Sequence, residues 1–299
     1  MRSDSVARRI WLRDFFGYLW WFYNPFGKLS VEGIYTLVHT NYLGEKGHYL
    51  NLGYWKDAAT VDEACEAMAG LLAEKAELQA SDHVVDVGFG FADQDLYWMR
   101  TRSPARIVGL NITRSQVELA RQRVAGEGLS DRIELLAGSA TSMPLPSAAF
   151  DKVLGLESAF HFDTREDFFA EALRVLRPGG RLALADVARL PRRGAWHRRF
   201  LHWYSWNFYR WKYCVPPEND DDRDSYARKL EAAGFVDVKV ESIREHVFAP
   251  LHHALAANPT LLRRMHFLAR LPYNLILKLD GERVYFAYDY LIATAVKPA

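Results

Sequence analysis

Two short stretches carry residue types and spacings that could do chemistry. The first is HVVDVGFGFADQD at 83–95, where an apolar run meets Gly88 and Gly90 before a helix-like stretch. Glycine lets a backbone approach a ligand where a side chain would block it. In an open α/β sheet the ligand crevice lies beyond the carboxyl ends of the strands, where this turn would fall. A GxG turn alone fits a nucleotide-like cofactor, a dinucleotide, or a purely structural strand–turn–helix. The second stretch is ESAFHFD at 157–163, which offers His161 as a proton acceptor or acceptor-positioning group, histidine being the commonest general base. The bland alternative is a histidine that only bonds backbone. His202, His252 and His253 are secondary candidates. HFD could hold a metal in principle, but no CxxC or HxxxH spacing accompanies it, so no metal is expected.

These residues need a scaffold, and the pattern around them supplies one. Short apolar runs at 83–87, 106–112, 132–136, 151–156 and 181–187 read as strands. Helical stretches lie between strands two and three (115–128) and between strands four and five (164–180). The latter is stopped by Pro178 and two glycines. A helix at 60–78 precedes the first strand, with Thr60 and Glu63 spaced as a capping box. A helix at 224–235, a strand at 236–243 and a long final strand at 284–298 follow. Strands alternating with helices predict parallel βαβ units, hence an α/β fold with a doubly wound, mostly parallel sheet. The expected organisation is an aromatic N-terminal cap at 1–59 and a core at 60–299, with insertions at about 190–221 and 244–282.

Composition sets the outer bounds. The chain has 299 residues, 49% hydrophobic and 25% charged, with a formal charge of +1. That is ordinary for a globular protein, and near-neutrality gives no argument for a nucleic-acid partner. Two distant cysteines, Cys65 and Cys214, make no disulfide framework and point to a reducing cytoplasm. The unusual feature is aromatic clustering: WLRDFFGYLWWFYNPF at 11–26 and WHRRFLHWYSWNFYRWKY at 196–213. Arg13, Asp14 and Pro25 break the first run well short of a membrane span of roughly 20 residues. An interfacial helix stays open, because Trp and Tyr favour membrane boundaries. So does oligomerisation.

The motifs taken in order resemble the class I S-adenosylmethionine-dependent methyltransferases over roughly 60–190, with a fitting end at 222–297. The series is DVGFG, GLNITRSQ, GSATSMPLPSAAFD, ESAFHF and ALRVLRPGG. The nearest branch holds sterol, tocopherol and macrolide-sugar methyltransferases, where an aromatic GY segment like NLGYWKD at 51–57 also precedes the core. The resemblance implies S-adenosylmethionine as cofactor and a seven-stranded Rossmann-like sheet. It implies Asp86, Gly88, Gly90 and Glu157 near the methionine part, Asn111 and Gln116 near the ribose and adenine, and Ser139 and Ala140 at the adenine edge. Tyr54 and Trp55 would cover the reaction centre. Three positions depart from the family pattern. Ala92 stands for a third glycine, Asn111 for an acidic residue, and Ser139 for an aspartate.

The aromatic segments suggest a hydrophobic small-molecule acceptor, polyketide, macrolide sugar or isoprenoid, touched by Trp55, Phe160, His161, Trp203 and Tyr204. Methylation at oxygen needs a base; methylation at carbon needs aromatic faces to stabilise a cation. Sequence does not separate the two. Two alternatives remain: a membrane-lipid or quinone methyltransferase docked through the aromatic N-terminus, and a cyclase or binding protein that keeps the cofactor without transferring methyl.

Overall fold

The computed structural model describes residues 12–24, 26–37, 43–258 and 260–299, without the side chain of Arg264. Residues 1–11, Pro25 and residues 38–42 of the expected N-terminal cap lie outside the described residues.

Strands β1 (His83–Val87), β2 (Arg106–Asn111) and β4 (Phe150–Leu156) are buried along most of their length. That is how central parallel strands read when helices cover both faces. With β3 (Ile133–Ala137), β5 (Leu176–Arg189), β6 (Val236–Ser242) and β7 (Tyr288–Val296) they form one seven-stranded sheet. Its order is β3-β2-β1-β4-β5-β7-β6. β1 pairs parallel with both β2 and β4, and β7 runs antiparallel between β5 and β6. The chain leaves β1 toward one edge through β2 and β3, then crosses to the other side of β1 at β4. The sheet therefore reverses its winding between β1 and β4, and a crevice opens beyond their carboxyl ends.

Helix α1 (residues 12–18) passes into a π turn at Leu19–Tyr23, and α2 (Val31–Leu37) and α3 (Val61–Lys75) follow. The connections carry α4 (Asp93–Thr101), α5 (Arg114–Gly126) and α6 (Arg165–Val175). The insertion after β5 is α7 (Trp196–Lys212), and α8 (Arg223–Ala232) leads into β6. The last insertion holds α9 (Phe248–Ala257), α10 (Phe267–Ile276) and the short α11 (Gly281–Val284). The capping box expected at Thr60 and Glu63 is present at the start of α3.

Two boundaries differ from expectation. Helix α6 stops at Val175, and Leu176 already pairs with Phe150 of β4. Arg177 precedes Pro178, which pushes it toward extended backbone and away from helix. The final strand starts at Tyr288 because Asp280 caps a helical turn at Gly281–Val284 through the Arg283 N–H.

Apolar clusters lie on both faces of the sheet. A third joins Tyr18, Trp21, Ile34 and Leu37 to Ala64 and Cys65 of α3 and to Leu251, Leu255 and Leu268 of the last insertion. The aromatic N-terminus is thus packed on α3 and the last insertion. Among the described residues no helix is long and apolar enough to cross a membrane.

Candidate active site

The β1–β4 crevice holds a cavity of about 290 Å³. Its floor comes from the turns after the strands: Gly88–Phe91 after β1, Asn111–Thr113 after β2, Gly138–Thr141 after β3, and Glu157–Ser158 after β4. Its roof comes from Val31 and Tyr35 of α2, the loop His48–Asn51, and His161–Asp163.

The glycine turn is shaped by close approach. Gly88 has φ +80°, and a Cβ there would lie 2.3 Å from the Ser158 Cβ. Ser158 itself is fixed by donating to the Val87 carbonyl at 2.6 Å. Only glycine meets both demands. Ala92, standing where the family has its third glycine, keeps left-handed backbone at φ +63°. An alanine in that conformation costs about 1–2 kcal/mol that a glycine would not. Arg123 of α5 clamps the turn, donating to both Asp93 carboxylate oxygens at 2.6 and 2.8 Å and to the Phe91 carbonyl at 2.6 Å.

At the end of β2, Asn111 accepts from the Thr113 N–H at 3.1 Å and donates to Gln116 Oε1 at 2.9 Å. Gln116 Nε2 and Thr113 Oγ1 are both buried and lack a hydrogen-bond partner. Buried polar groups without partners are costly, and both residues line the cavity. A donor and a hydroxyl left over at this point fit the hydroxyls and ring nitrogens of an adenosine. Ser139 makes a local turn, its Oγ accepting from the Thr141 N–H at 3.2 Å and lying 2.8 Å from Thr141 Oγ1.

Glu157 stands at the far end of the floor. Its Oε1 accepts from the Leu52 N–H at 2.7 Å and from the Tyr290 hydroxyl at 2.6 Å. Burial pushes its carboxyl up to about 7, with the two donors opposing. A carboxyl so placed can meet a cationic ammonium or sulfonium. Glu157 also has left-handed backbone, φ +52°, a strained conformation of the kind that clusters at functional sites.

Across the roof, the Tyr35 hydroxyl lies 2.9 Å from His161 Nε2. Burial pushes the His161 imidazole down to about 3. Burial likewise raises the Tyr35 phenol, helped by the charges of Glu157 and Asp186. The imidazole is therefore neutral and the phenol protonated, so Tyr35 donates and Nε2 accepts. The His161 loop is held on three sides. Phe160 N–H donates to Asp186 at 3.1 Å, and the Asn219 amide donates to the Phe160 and Phe162 carbonyls at 3.2 and 2.8 Å. Behind them Arg165, fully buried, pairs with Asp186 and Asp221 at 3.0 Å each.

The expected residues separate into two groups. Gly88, Gly90, Asn111, Gln116, Ser139, Ala140, Glu157 and His161 line the one cavity. The others do not. Asp86 is fully buried behind the turn, bonded by Gln94 at 3.0 Å. Tyr54 packs beside the core with its ring against His246. Trp55 is buried and donates to the Leu52 carbonyl at 2.9 Å. These two brace the loop whose Leu50 and Asn51 do line the cavity. Phe160 is buried with its ring centroid 4.0 Å from that of His161, backing it rather than facing the cavity. Trp203 and Tyr204 are exposed on α7. Tyr35 and Thr113 were not anticipated. Thr113 lies inside the quoted GLNITRSQ stretch and could have been found there, whereas nothing around Tyr35 marks it. No group of three or more His, Cys, Asp or Glu among the described residues could hold a metal.

Comparison with known proteins agrees with this geometry. A family described as "Methyltransferase domain" matches residues 85–184. Erythromycin 3''-O-methyltransferase of Saccharopolyspora erythraea is 43% identical over 206 residues, 69% of this chain and 67% of that protein. The 27-O-demethylrifamycin SV methyltransferase of Amycolatopsis mediterranei is 38% identical over 146 residues, 48% of this chain and about half (53%) of that protein. Among solved structures, the [4+2]-cyclase SpnF superposes with a TM-score of 0.70 at 22% identity, covering 91% of this chain and 98% of that one. A geranyl diphosphate methyltransferase in complex with S-adenosylmethionine gives 0.64 at 18% identity, covering 86% and 94%. These structural likenesses bear on the fold, and the sequence relatives on the family. With its glycine turn, leftover donors and methyltransferase relatives, the chain belongs to the S-adenosylmethionine-dependent methyltransferases.

Proposed function

We propose that the protein methylates an oxygen of a bulky, largely apolar small molecule of the glycosylated polyketide, macrolide or isoprenoid type. The cofactor supplies an electrophilic methyl on a sulfonium. Gly88, Gly90, Asn111, Thr113, Gln116, Ser139 and Ala140 would hold its adenosine side, and Glu157 its cationic end. The observation that carries the choice of oxygen is the Tyr35–His161 pair. An acceptor hydroxyl placed beside it passes its proton to the Tyr35 oxygen while Tyr35 passes its own to His161 Nε2, as the acceptor oxygen takes the methyl. An alcohol becoming an ether passes toward a strongly acidic oxonium, so a weakly basic imidazole suffices. What the relatives add is acceptor class: two of them are named for erythromycin and rifamycin chemistry.

The test is transfer of labelled methyl from S-adenosylmethionine to a panel of macrolide glycosides, aromatic polyketides and isoprenoids. Labelled ether product supports the reading. A folded, cofactor-binding enzyme that labels none of them favours the non-methylating alternative. A product labelled at carbon would overturn the choice of oxygen.

A further inference from the structure

Charge in this chain is segregated in a way its near-neutral total conceals. Residues 190–214 and 246–279, the two insertions around α7 and α9–α10, contain ten Lys and Arg and no Asp or Glu. The rest of the chain then carries 28 basic against 37 acidic residues. Arg193, Arg198 and Arg199 are exposed and make no ion pair among the described residues.

Exposed apolar side chains gather on the same elements. Among the described residues, seventeen of the twenty-one large exposed hydrophobics lie on α1 with its π turn, on α7 and on α10, or within three residues of their ends. At roughly 100° per residue, Trp196, Phe200, Trp203, Tyr204 and Phe208 share an arc of about 140° on α7. His202 and Trp206 on its other face are buried. A surface helix ordinarily turns its apolar stripe to the core; this one turns its rings outward, with Arg198 and Arg199 on either flank. Phe267, Leu271 and Leu275 repeat the pattern on α10, and Phe16, Trp20 and Tyr23 on α1 and its π turn. The three helices are tied together. Tyr23 donates to the Leu268 carbonyl at 2.8 Å, Trp21 to the Lys212 carbonyl at 3.2 Å, and the Lys212 ammonium returns to the Asn24 and Gly27 carbonyls at 3.1 and 3.0 Å.

We propose that this cap docks peripherally on an anionic membrane surface, its rings and leucines entering the headgroup–acyl boundary and its arginines meeting the lipid phosphates. Amphipathic helices with a basic polar face and Trp, Phe and Leu opposite bind in this way, and each basic residue near the surface adds attraction. A second copy of the chain is disfavoured as the occupant, because the exposed Arg193, Arg198, Arg199, Arg263 and Lys278 would meet their own kind. Single-stranded nucleic acid would use the rings and arginines but has no need of the aliphatic stripe on α10. The proposal uses no residue lining the cavity and stands or falls apart from the methyl-transfer reading.

The experiment is flotation of the full chain with vesicles of phosphatidylglycerol and phosphatidylcholine in equal parts, and with phosphatidylcholine alone. Binding to the mixed vesicles should exceed binding to neutral ones by about tenfold or more, and fall as salt is raised. Arg198→Glu with Arg199→Glu should cut it by about tenfold. Trp196→Ala with Phe200→Ala should cut it at low salt as well, where charge attraction is strongest. Both double variants should keep wild-type cofactor affinity, which shows them folded. The proposal is overturned if the wild type does not float with anionic vesicles, or if both double variants float as it does. It is equally overturned if single-stranded RNA displaces the vesicles, or if sedimentation shows the patch consumed by self-association.

Discussion

Tyr35 and His161 lie 126 residues apart in the chain, yet the tyrosine hydroxyl sits 2.9 Å from the imidazole Nε2 across the roof of the cavity. The tyrosine comes from a two-turn helix packed on the aromatic N-terminus. The histidine comes from the loop after β4, pinned by Asn219 and Asp186.

If His161 takes the acceptor's proton, His161→Asn should lower kcat by about 10²–10⁴-fold, the usual worth of a positioned base. Cofactor affinity should change little, as no charge is lost. Tyr35→Phe should cost about tenfold or more by removing the hydroxyl through which the proton reaches the imidazole. Steady-state kinetics with any accepted substrate checks both.

The pH profile should separate this histidine from an ordinary one. Burial holds its imidazole down to about 3, so it is neutral throughout pH 5–9. At saturating cofactor and substrate, kcat should show no acidic limb near 6.5. A limb there that disappears in His161→Asn would contradict the assignment.

Glu157 predicts a pH dependence of a different kind. Its carboxyl is pushed up to about 7, so it ionises as pH rises through neutrality, and only the ionised form attracts a cation. Affinity for S-adenosylmethionine should therefore rise from pH 6 to 8. Glu157→Gln, which keeps an acceptor for the Leu52 N–H, should bind about tenfold more weakly at pH 8 and lose the dependence. Calorimetry across that range reads both effects.

Asp86 and Asp95 lie fully buried together behind the glycine turn, with Asp95 lacking any hydrogen-bond partner at either oxygen. Burial pushes Asp86 up to about 7 and Asp95 well above its ordinary 3.8, the neighbouring carboxylate adding to the latter. Folded values raised above unfolded ones stabilise the protein at low pH and withdraw that stability as pH rises toward the folded values. Asp95→Asn removes one of the two ionisations. Its advantage over wild type should grow from pH 5 to pH 8, reaching about 2–4 °C in Tm. A constant difference across that range would contradict the raised Asp95 value.

The sequence exposed the cofactor half of the site better than the acceptor half, for a physical reason. Gly88, Asn111, Ser139 and Glu157 each stand at or within two residues of a strand's carboxyl end, so strand order alone brings them to one crevice. Asp86 does not line the cavity because a strand's last residues alternate faces, and its side chain is buried against Gln94. Tyr54 and Trp55 were placed at the reaction centre, yet their neighbours Leu50 and Asn51 line the cavity while the aromatic pair braces the loop. Tyr35 sits on a helix whose packing depends on the last insertion, more than 200 residues away, and no local pattern records that contact. Trp203 and Tyr204 show that aromatic clustering marks a surface to be covered without saying by what. On α7 the core-facing positions are taken by His202 and Trp206, leaving the rings outside.

The central claim is that the β1–β4 cavity binds S-adenosylmethionine, and titration calorimetry of the wild type beside Gly88→Arg tests it most directly. At Gly88 the left-handed backbone and the Ser158 Cβ, 2.3 Å from any added Cβ, leave no room for a side chain. The account predicts micromolar binding by the wild type and none detectable by a variant with wild-type circular dichroism. A folded wild type that binds no cofactor, or a Gly88→Arg variant that binds as tightly, would contradict it.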